Sequence, residues 1–199
     1  ALAEAEIEYK DHISPSIYVP FRLKNKVDGD TNESYLVIWT TTPWTLPANL
    51  AIAVHPRKSY IEVITNKKTY WVADALCDSF ISSCGIVDFK KGQIVVGDEL
   101  VSRETEHPFI DRSSPVVSAE YVTTESGTGC VHIAPGHGLD DYITGLQNGL
   151  EVYCPLDDNG CYVDDGQIPQ SLVGVSVLEK ASGCRANESV LDILRERGR

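Results

Sequence analysis

Positive charge is scarce in this sequence. Seventeen Lys and Arg stand against 29 Asp and Glu, a formal net charge of −12 at pH 7. That balance excludes a broad phosphate-tracking surface, which needs clustered cations, but leaves room for a small contact with one nucleic-acid end. Long apolar runs are missing too. No stretch approaches the roughly 20 residues of a membrane span, and Ala1 to Asp11 is too acidic for a signal peptide. No Cys-x-x-Cys pair occurs among Cys77, Cys84, Cys130, Cys154, Cys161 and Cys184, which argues against a zinc knuckle. A disulfide scaffold does not suit a chain this long with cysteines set in apolar runs. The six read as buried free thiols in a reducing compartment. Methionine is absent and the first residue is Ala1, the pattern of a piece cut from a longer chain.

What remains suffices for a real core. The chain has 199 residues, 42% of them hydrophobic. Internal repeats, low-complexity tracts and linkers are not found, so residues 1–199 read as a single domain. Short β-rich runs dominate: Ser16 to Leu23, Tyr35 to Thr41, Leu50 to Val54, Tyr60 to Thr65, Thr69 to Val72 and Val116 to Thr123. Lys90 to Glu99 adds a strand around Ile94-Val95-Val96, and Lys24 to Glu33 is a polar hairpin or loop. Ala73 to Ser83 reads as a helix with Ala75, Leu76, Phe80 and Ile81 inward. Asn187 is placed to cap a last helix with Val190, Leu191, Ile193 and Leu194 as its apolar stripe. This mixture predicts an α+β fold with a closed or nearly closed β-barrel-like core and a few peripheral helices.

Chemistry concentrates in GTGCVHIAPGHGLDDY, residues 127 to 142. Gly127 and Gly129 allow a tight turn or a close backbone approach. Cys130 to Ala134 reads as a buried strand that puts Cys130, His132 and Ala134 on one face. Pro135 to Gly138 must be a loop. Asp140 is placed to cap the next helix, Asp141 falls in its first turn, and Gly149 fits its end. As a phosphate loop the run lacks a Gly-Lys-Ser/Thr ending, and two carboxylates would repel an anion. They suit a cation instead, either a metal or a ligand ammonium. Asp141 is equally readable as a solvated charge, His132 as a satisfied core residue and His137 as loop surface. A metal reading would draw on His132, His137 and Asp141, but no recognised ligand spacing supports it.

A second motif, YLVIWTTTPWTLPANLAIAVHP, fills residues 35 to 56. A strand ends in Thr40, Thr41 and Thr42, Pro43 and Pro47 stop it, Trp44 fills the bend, and Asn49 leads into the next strand. Hydroxyls at a strand end, beside a Trp and an Asn, suit a small pocket that positions a water. Ordinary β-branched filler is the plainer alternative.

Together, Trp39 through Asn49 and Gly127 through Tyr142 resemble the editing domain inserted in isoleucyl-tRNA synthetases. The opening ALAEAEIEY resembles that family's entry into the insert. Valyl and leucyl editors typically carry Arg where Thr42 stands and Asp where Gly138 stands, so the resemblance is to the isoleucyl type. Cys130 departs from the more usual Ala, a change of packing. The His-Ile-Gly-His and Lys-Met-Ser-Lys-Ser signatures of amino-acid activation are absent.

The resemblance implies a hydrolase that removes valine esterified to the 3′ acceptor end of isoleucine tRNA, and that also clears valyl-adenylate. One methylene is worth only about 1–3 kcal/mol in an apolar pocket, an established figure for which isoleucine against valine in this very family is the standard example. A second, size-selective site supplies the missing discrimination. By the same resemblance Asp141 takes the α-ammonium, Thr40, Thr41 and Thr42 hold substrate or water, and His132 limits pocket size. Trp39, Trp44, Asn49, Gly136, His137 and Gly138 bind substrate, the two glycines by close approach to the adenosine. No metal and no other cofactor is implied. The implied partners are the tRNA end and the catalytic body of the same synthetase, with no membrane. The implied location is the cytoplasm or an organellar matrix. Rival readings are a metal-dependent hydrolase on His132, His137 and Asp141, a non-catalytic acceptor-end binder, and a cysteine hydrolase on Cys130 and His132.

Overall fold

The computed structural model describes residues 16–24, 32–178 and 183–198. Nine strands form one sheet: β1 (Ile17–Leu23), β2 (Glu33–Thr40), β3 (Ala51–Val54), β4 (Ser59–Ile64), β5 (Lys68–Ala73), β6 (Lys90–Val96), β7 (Glu104–Glu106), β8 (Ser113–Ser118) and β9 (Cys130–Ile133). Three α-helices accompany them: α1 (Cys77–Ser83), α2 (Leu139–Gln147) and α3 (Arg185–Glu196). The strand order is β6-β4-β5-β2-β1-β7-β8-β3-β9. Neighbours are antiparallel except β2 with β5 and β3 with β8.

Although the sheet stays open, with β6 and β9 as its edges, it curls until β9 lies against β2. Two bonds bridge the gap just before β9. The Ala73 amide donates to the Thr128 carbonyl at 2.7 Å, and the buried Tyr60 hydroxyl donates to the Gly129 carbonyl at 2.7 Å. Gly129 has φ +73°, and a Cβ there would sit 2.5 Å from the Ala73 methyl. The close backbone approach read from the sequence is therefore real, and only glycine permits it.

Strand alternation sorts the core. Leu36 and Ile38 of β2, Ile52 and Val54 of β3, and Cys130 of β9 point into the main cluster, with Phe21, Trp71, Tyr162 and Leu172. Val37 packs outward under α1 with Phe80 and Ile81. Ala51, Ala53 and Ile133 form a third cluster with Val117 and Val122. Two elements differ from expectation. The strand expected over 116–123 runs from Ser113 to Ser118, and the segment after it is turn and bend. The helix expected over 73–83 begins with a 3-10 turn, Asp74–Leu76, which rotates Ala75 to the surface and puts Cys77 inside.

The capping expectations are corrected. Gly138, not Asp140, is the N-cap of α2, so Asp140 and Asp141 both fall in its first turn. Cys184 precedes α3, and Asn187 lies inside that helix. Gly149, at φ +68°, does follow the end of α2. Among the cysteines only Cys77 and Cys130 are buried; Cys84 and Cys154 are exposed and Cys161 and Cys184 intermediate, all as free thiols. The ALAEAEIEY segment and residues 25–31 of the hairpin or loop expected over Lys24 to Glu33 lie outside the described residues. Among the described residues no helix is long and apolar enough to cross a membrane.

Candidate active site

The two motifs meet because β3 pairs antiparallel with β9, placing Ile52 opposite His132. Between β2 and β3 the chain makes a 3-10 turn, Pro43–Ala48, started by Pro43 and packed so that Pro43, Thr45, Leu46, Pro47 and Ala48 are buried. Its third residue, Thr45, carries the link. The Thr45 hydroxyl donates to the Thr42 carbonyl at 2.9 Å and lies 3.0 Å from His132 Nε2. A hydroxyl has one hydrogen. Giving it to Thr42 leaves the Thr45 oxygen to accept from His132, which assigns the imidazole proton to Nε2. Nδ1 is then a bare acceptor, buried and without a partner among the described residues. Burial pushes the His132 pKa down to about 4, with His137 nearby adding to the shift. The ring is neutral at physiological pH and a weak base there.

A second contact joins the motifs. The Trp44 and His137 rings meet edge to face, with centroids 5.1 Å apart. His137 sits on the loop after β9, its amide bonded to the Ala134 carbonyl at 2.9 Å, and burial lowers its pKa. Asp141 leans back from the first turn of α2 so that Oδ2 accepts the Ala134 amide at 3.2 Å. The carboxyl is half-buried. Burial raises its pKa, while the Ala134 N–H pulls the other way and Asp140 adds repulsion. Among the described residues no cationic side chain pairs with it. Such a carboxylate favours an arriving cation. Asp140, one residue earlier, is exposed.

The threonines divide their labour. Thr40 is buried and its hydroxyl accepts the Thr42 amide at 3.0 Å. Thr41 is exposed and Thr42 partly so, available at the strand end.

Four residues that the resemblance assigns to substrate, Asn49, Trp39, Gly136 and Gly138, also have contacts within the fold. Asn49 is fully buried, and both ends of its amide are occupied, by the Ala51 carbonyl at 2.8 Å and the Ser114 hydroxyl at 2.5 Å. These bonds fix the turn. Trp39 lies on the opposite face of β2 from Ile38 and Thr40. Its Nε1 donates to Ser16 at 2.6 Å, and its ring packs on Gly127, whose φ is +78°. Gly136 is required by the fold, since a Cβ there would lie 2.4 Å from the Tyr153 carbonyl. Gly138 has extended backbone, and a Cβ there would press on the Asp141 carboxylate at 3.1 Å.

Sequence reading missed the residues that hold the 43–49 turn. His107, fully buried, donates from Nε2 to the Leu46 carbonyl at 2.9 Å and accepts the Ile110 amide on Nδ1 at 3.1 Å. Burial pushes its pKa down to about 3. Arg112 donates to the Pro47 and Asn49 carbonyls at 3.1 and 2.9 Å, and its guanidinium lies over the Tyr153 ring at 4.8 Å. These partners come from 60 or so residues away, and no local pattern marks them. Thr45 was missed as well, although a Thr three residues after Thr42 at a proline turn is placed to bond back to its carbonyl.

The rival chemistries find little support here. Among the described residues no three His, Cys, Asp or Glu side chains gather closely enough to hold a metal. Cys130 is buried in the main core, and burial drives its pKa well above the ordinary thiol value, the opposite of an activated nucleophile.

No protein-family model matches the chain. Its fold does have solved counterparts. The crystal structure of GlLeuRS-CP1 aligns with a TM-score of 0.67 at 14% identity, covering 92% of this chain and 97% of that one. The editing domain of the P. falciparum cytosolic leucyl-tRNA synthetase aligns with a TM-score of 0.56 at 12% identity, covering 84% and 79%. The chain thus has the fold of a class I aminoacyl-tRNA synthetase editing domain. Sequence is more specific. The isoleucine–tRNA ligase of Petrotoga mobilis is 44% identical over 198 residues, which is 100% of this chain and 20% of that protein. That of Fervidobacterium pennivorans is 52% identical over 165 residues, 83% of this chain and 17% of that protein. The chain belongs to the isoleucine–tRNA ligase family, and it spans about a fifth of the length of these relatives.

Proposed function

We propose that residues 1–199 are the editing domain of an isoleucyl-tRNA synthetase, a hydrolase that frees valine from the 3′ acceptor end of isoleucine tRNA and clears valyl-adenylate. The observation that carries this reading is the junction of the two motifs. There a neutral imidazole bonded to Thr45, the His137 ring against Trp44 of the 43–48 turn, and a half-buried carboxylate with no cationic partner among the described residues follow one another along the stretch from β9 to the start of α2. A carboxylate of that kind suits the α-ammonium of an aminoacyl ester through a charge-assisted hydrogen bond.

An ester needs no covalent nucleophile. A positioned water and a stabilised oxyanion suffice, and both are matters of orientation and dipole placement. Thr41 and Thr42 supply hydroxyls at the strand end, with Thr40 holding the bend that presents them. Trp44 and His137 wall the side-chain pocket. His132 is the size limit: its proton is committed to Thr45, and its lowered pKa suits a rigid wall better than a general base. The acidic chain recognises only the acceptor end, while the body of the synthetase supplies the phosphate contacts, in the cytoplasm or an organellar matrix.

The test is to incubate the chain, after exhaustive EDTA dialysis, with isoleucine tRNA charged with valine or with isoleucine. Release of valine with isoleucine retained is expected. Release of neither, or activity that zinc or magnesium must restore, would contradict the reading.

A further inference from the structure

The turn that carries Trp44 has an unusual helper. A 3-10 turn beginning at Pro43 leaves the Trp44 amide as its first free donor, because Pro43 has no N–H and Thr42 makes no side-chain cap. That donor is taken by Asn187 Oδ1 at 3.0 Å, across 143 residues. The carbonyl of the same residue accepts the hydroxyl of Tyr162. Both helpers are themselves fixed. Tyr162 is 3% exposed in the main core. Asn187 rides on α3, whose Ala186, Val190 and Leu194 are buried in the same cluster. Asn187 sits in the first turn of α3, where an Asn usually serves its own helix, yet it caps another element.

The geometry points to Asn187 and Tyr162 as positioning residues of the editing site, clamping the Trp44 peptide from both sides and so setting the pocket wall that the indole forms with His137. The assignment rests on the editing reading above. A residue whose two flanking peptide planes are both held, one at its N–H and the next at its C=O, cannot rock. An unheld one would let the indole edge swing, since the ring lies several bonds from the pivot, and a size-selective wall tolerates little displacement.

Asn187→Leu keeps the volume and removes the acceptor. Asn187→Asp keeps an acceptor oxygen and places a negative charge in the first turn of α3, where the helix dipole favours it. For the Leu variant, KM for valyl-tRNA should rise and discrimination against isoleucyl-tRNA should fall, each by about 3- to 10-fold, the worth of one hydrogen bond. The Asp variant should restore both. Tyr162→Phe should move the same way and serves where the Leu variant does not fold. The backbone amide resonance of Trp44 and the ring resonances of His137 provide a readout independent of catalysis. They should shift in the Leu variant and return in the Asp variant. Unchanged discrimination with an unchanged Trp44 amide would overturn the clamp, as would an Asp variant as impaired as the Leu variant. If the parent chain releases no valine, the editing reading fails, and the Trp44 amide still decides the clamp.

Discussion

The turn at 43–49 and the segment 134–147 face each other across the site and are built in opposite ways. In the turn nearly every residue is buried, and the carbonyls of residues 42, 44, 46, 47 and 49 all have donors, most from distant parts of the chain. Across from it, α2 buries only Thr144 and Gly145. Its apolar stripe, Leu139, Tyr142, Ile143 and Leu146, faces outward at helical spacing, exposed by 41% to 74%. The helix is held by its Gly145–Pro135 contact and by Asp141 reaching back to the Ala134 amide. One wall is pre-set by the core, and the other carries the charge on an exposed element with few anchors. On the editing function proposed above, a site that admits a tRNA end and measures a methylene gains from this division, with precision on the buried side and access on the other.

This contrast predicts that function and stability separate by region. The largest effect belongs to Asp141. Asp141→Ala should lower valyl-tRNA deacylation by about 10- to 100-fold, the worth of a charged hydrogen bond of roughly 1.5–3 kcal/mol, and should also lower the urea midpoint, since it leaves the Ala134 amide without its acceptor. Asp140→Ala, a change at an exposed neighbour, should cost far less activity. Deacylation rates of the two variants check this, and a reversal would exchange their roles.

Next comes Arg112 on the buried side. Arg112→Ala strips the donors from the Pro47 and Asn49 carbonyls and should cost about 1–3 kcal/mol of stability, read from the urea midpoint. An unchanged midpoint would mean that the turn holds itself.

Acid should weaken the same side. His107 titrates near pH 3 in the fold and near 6.5 when unfolded. Its folded pKa is the lower one, so the unfolded state takes up a proton first and stability falls as pH drops below about 6.5. By pH 5 the loss from this group should reach about 2 kcal/mol, and His107→Gln should roughly halve the slope, the rest belonging to His132, whose pKa is lowered to about 4. Urea melts at pH 7 and pH 5 test it. A slope undiminished by the substitution would place the acid sensitivity elsewhere.

The smallest effect is expected on the open helix. Leu139 is 74% exposed, so Leu139→Lys should change stability by no more than about 0.5 kcal/mol. A larger loss in a thermal melt would show that the stripe is covered.

Legibility followed the range of the interactions. The strands were readable because β-branched runs and period-two burial are local signals, and the strand–loop–helix of 127–147 was readable from its glycines and aspartates. Gly127 and Gly129 announced the positive φ they adopt. The bonds that tie Asn49 to Ser114 and Trp39 to Ser16 were not legible, because no local pattern reveals those partners. Asn187 was read as a cap, correctly as to its chemistry and wrongly as to the element it serves. Asp140 lost the cap to Gly138 because the loop enters α2 two residues earlier than spacing suggests.

The most direct test concerns His132, where the two motifs touch. Its ring is fixed by Thr45, faces the interior beside Cys130, and is neutral. Rates of valine and isoleucine release should be measured side by side for the parent chain and for His132→Ala. As a size limit, its removal should open the pocket, so that the variant strips isoleucyl-tRNA while still acting on valyl-tRNA. As a general base, its loss would slow both reactions together by roughly 100-fold or more, and an equal fall in the two rates would contradict the sieve.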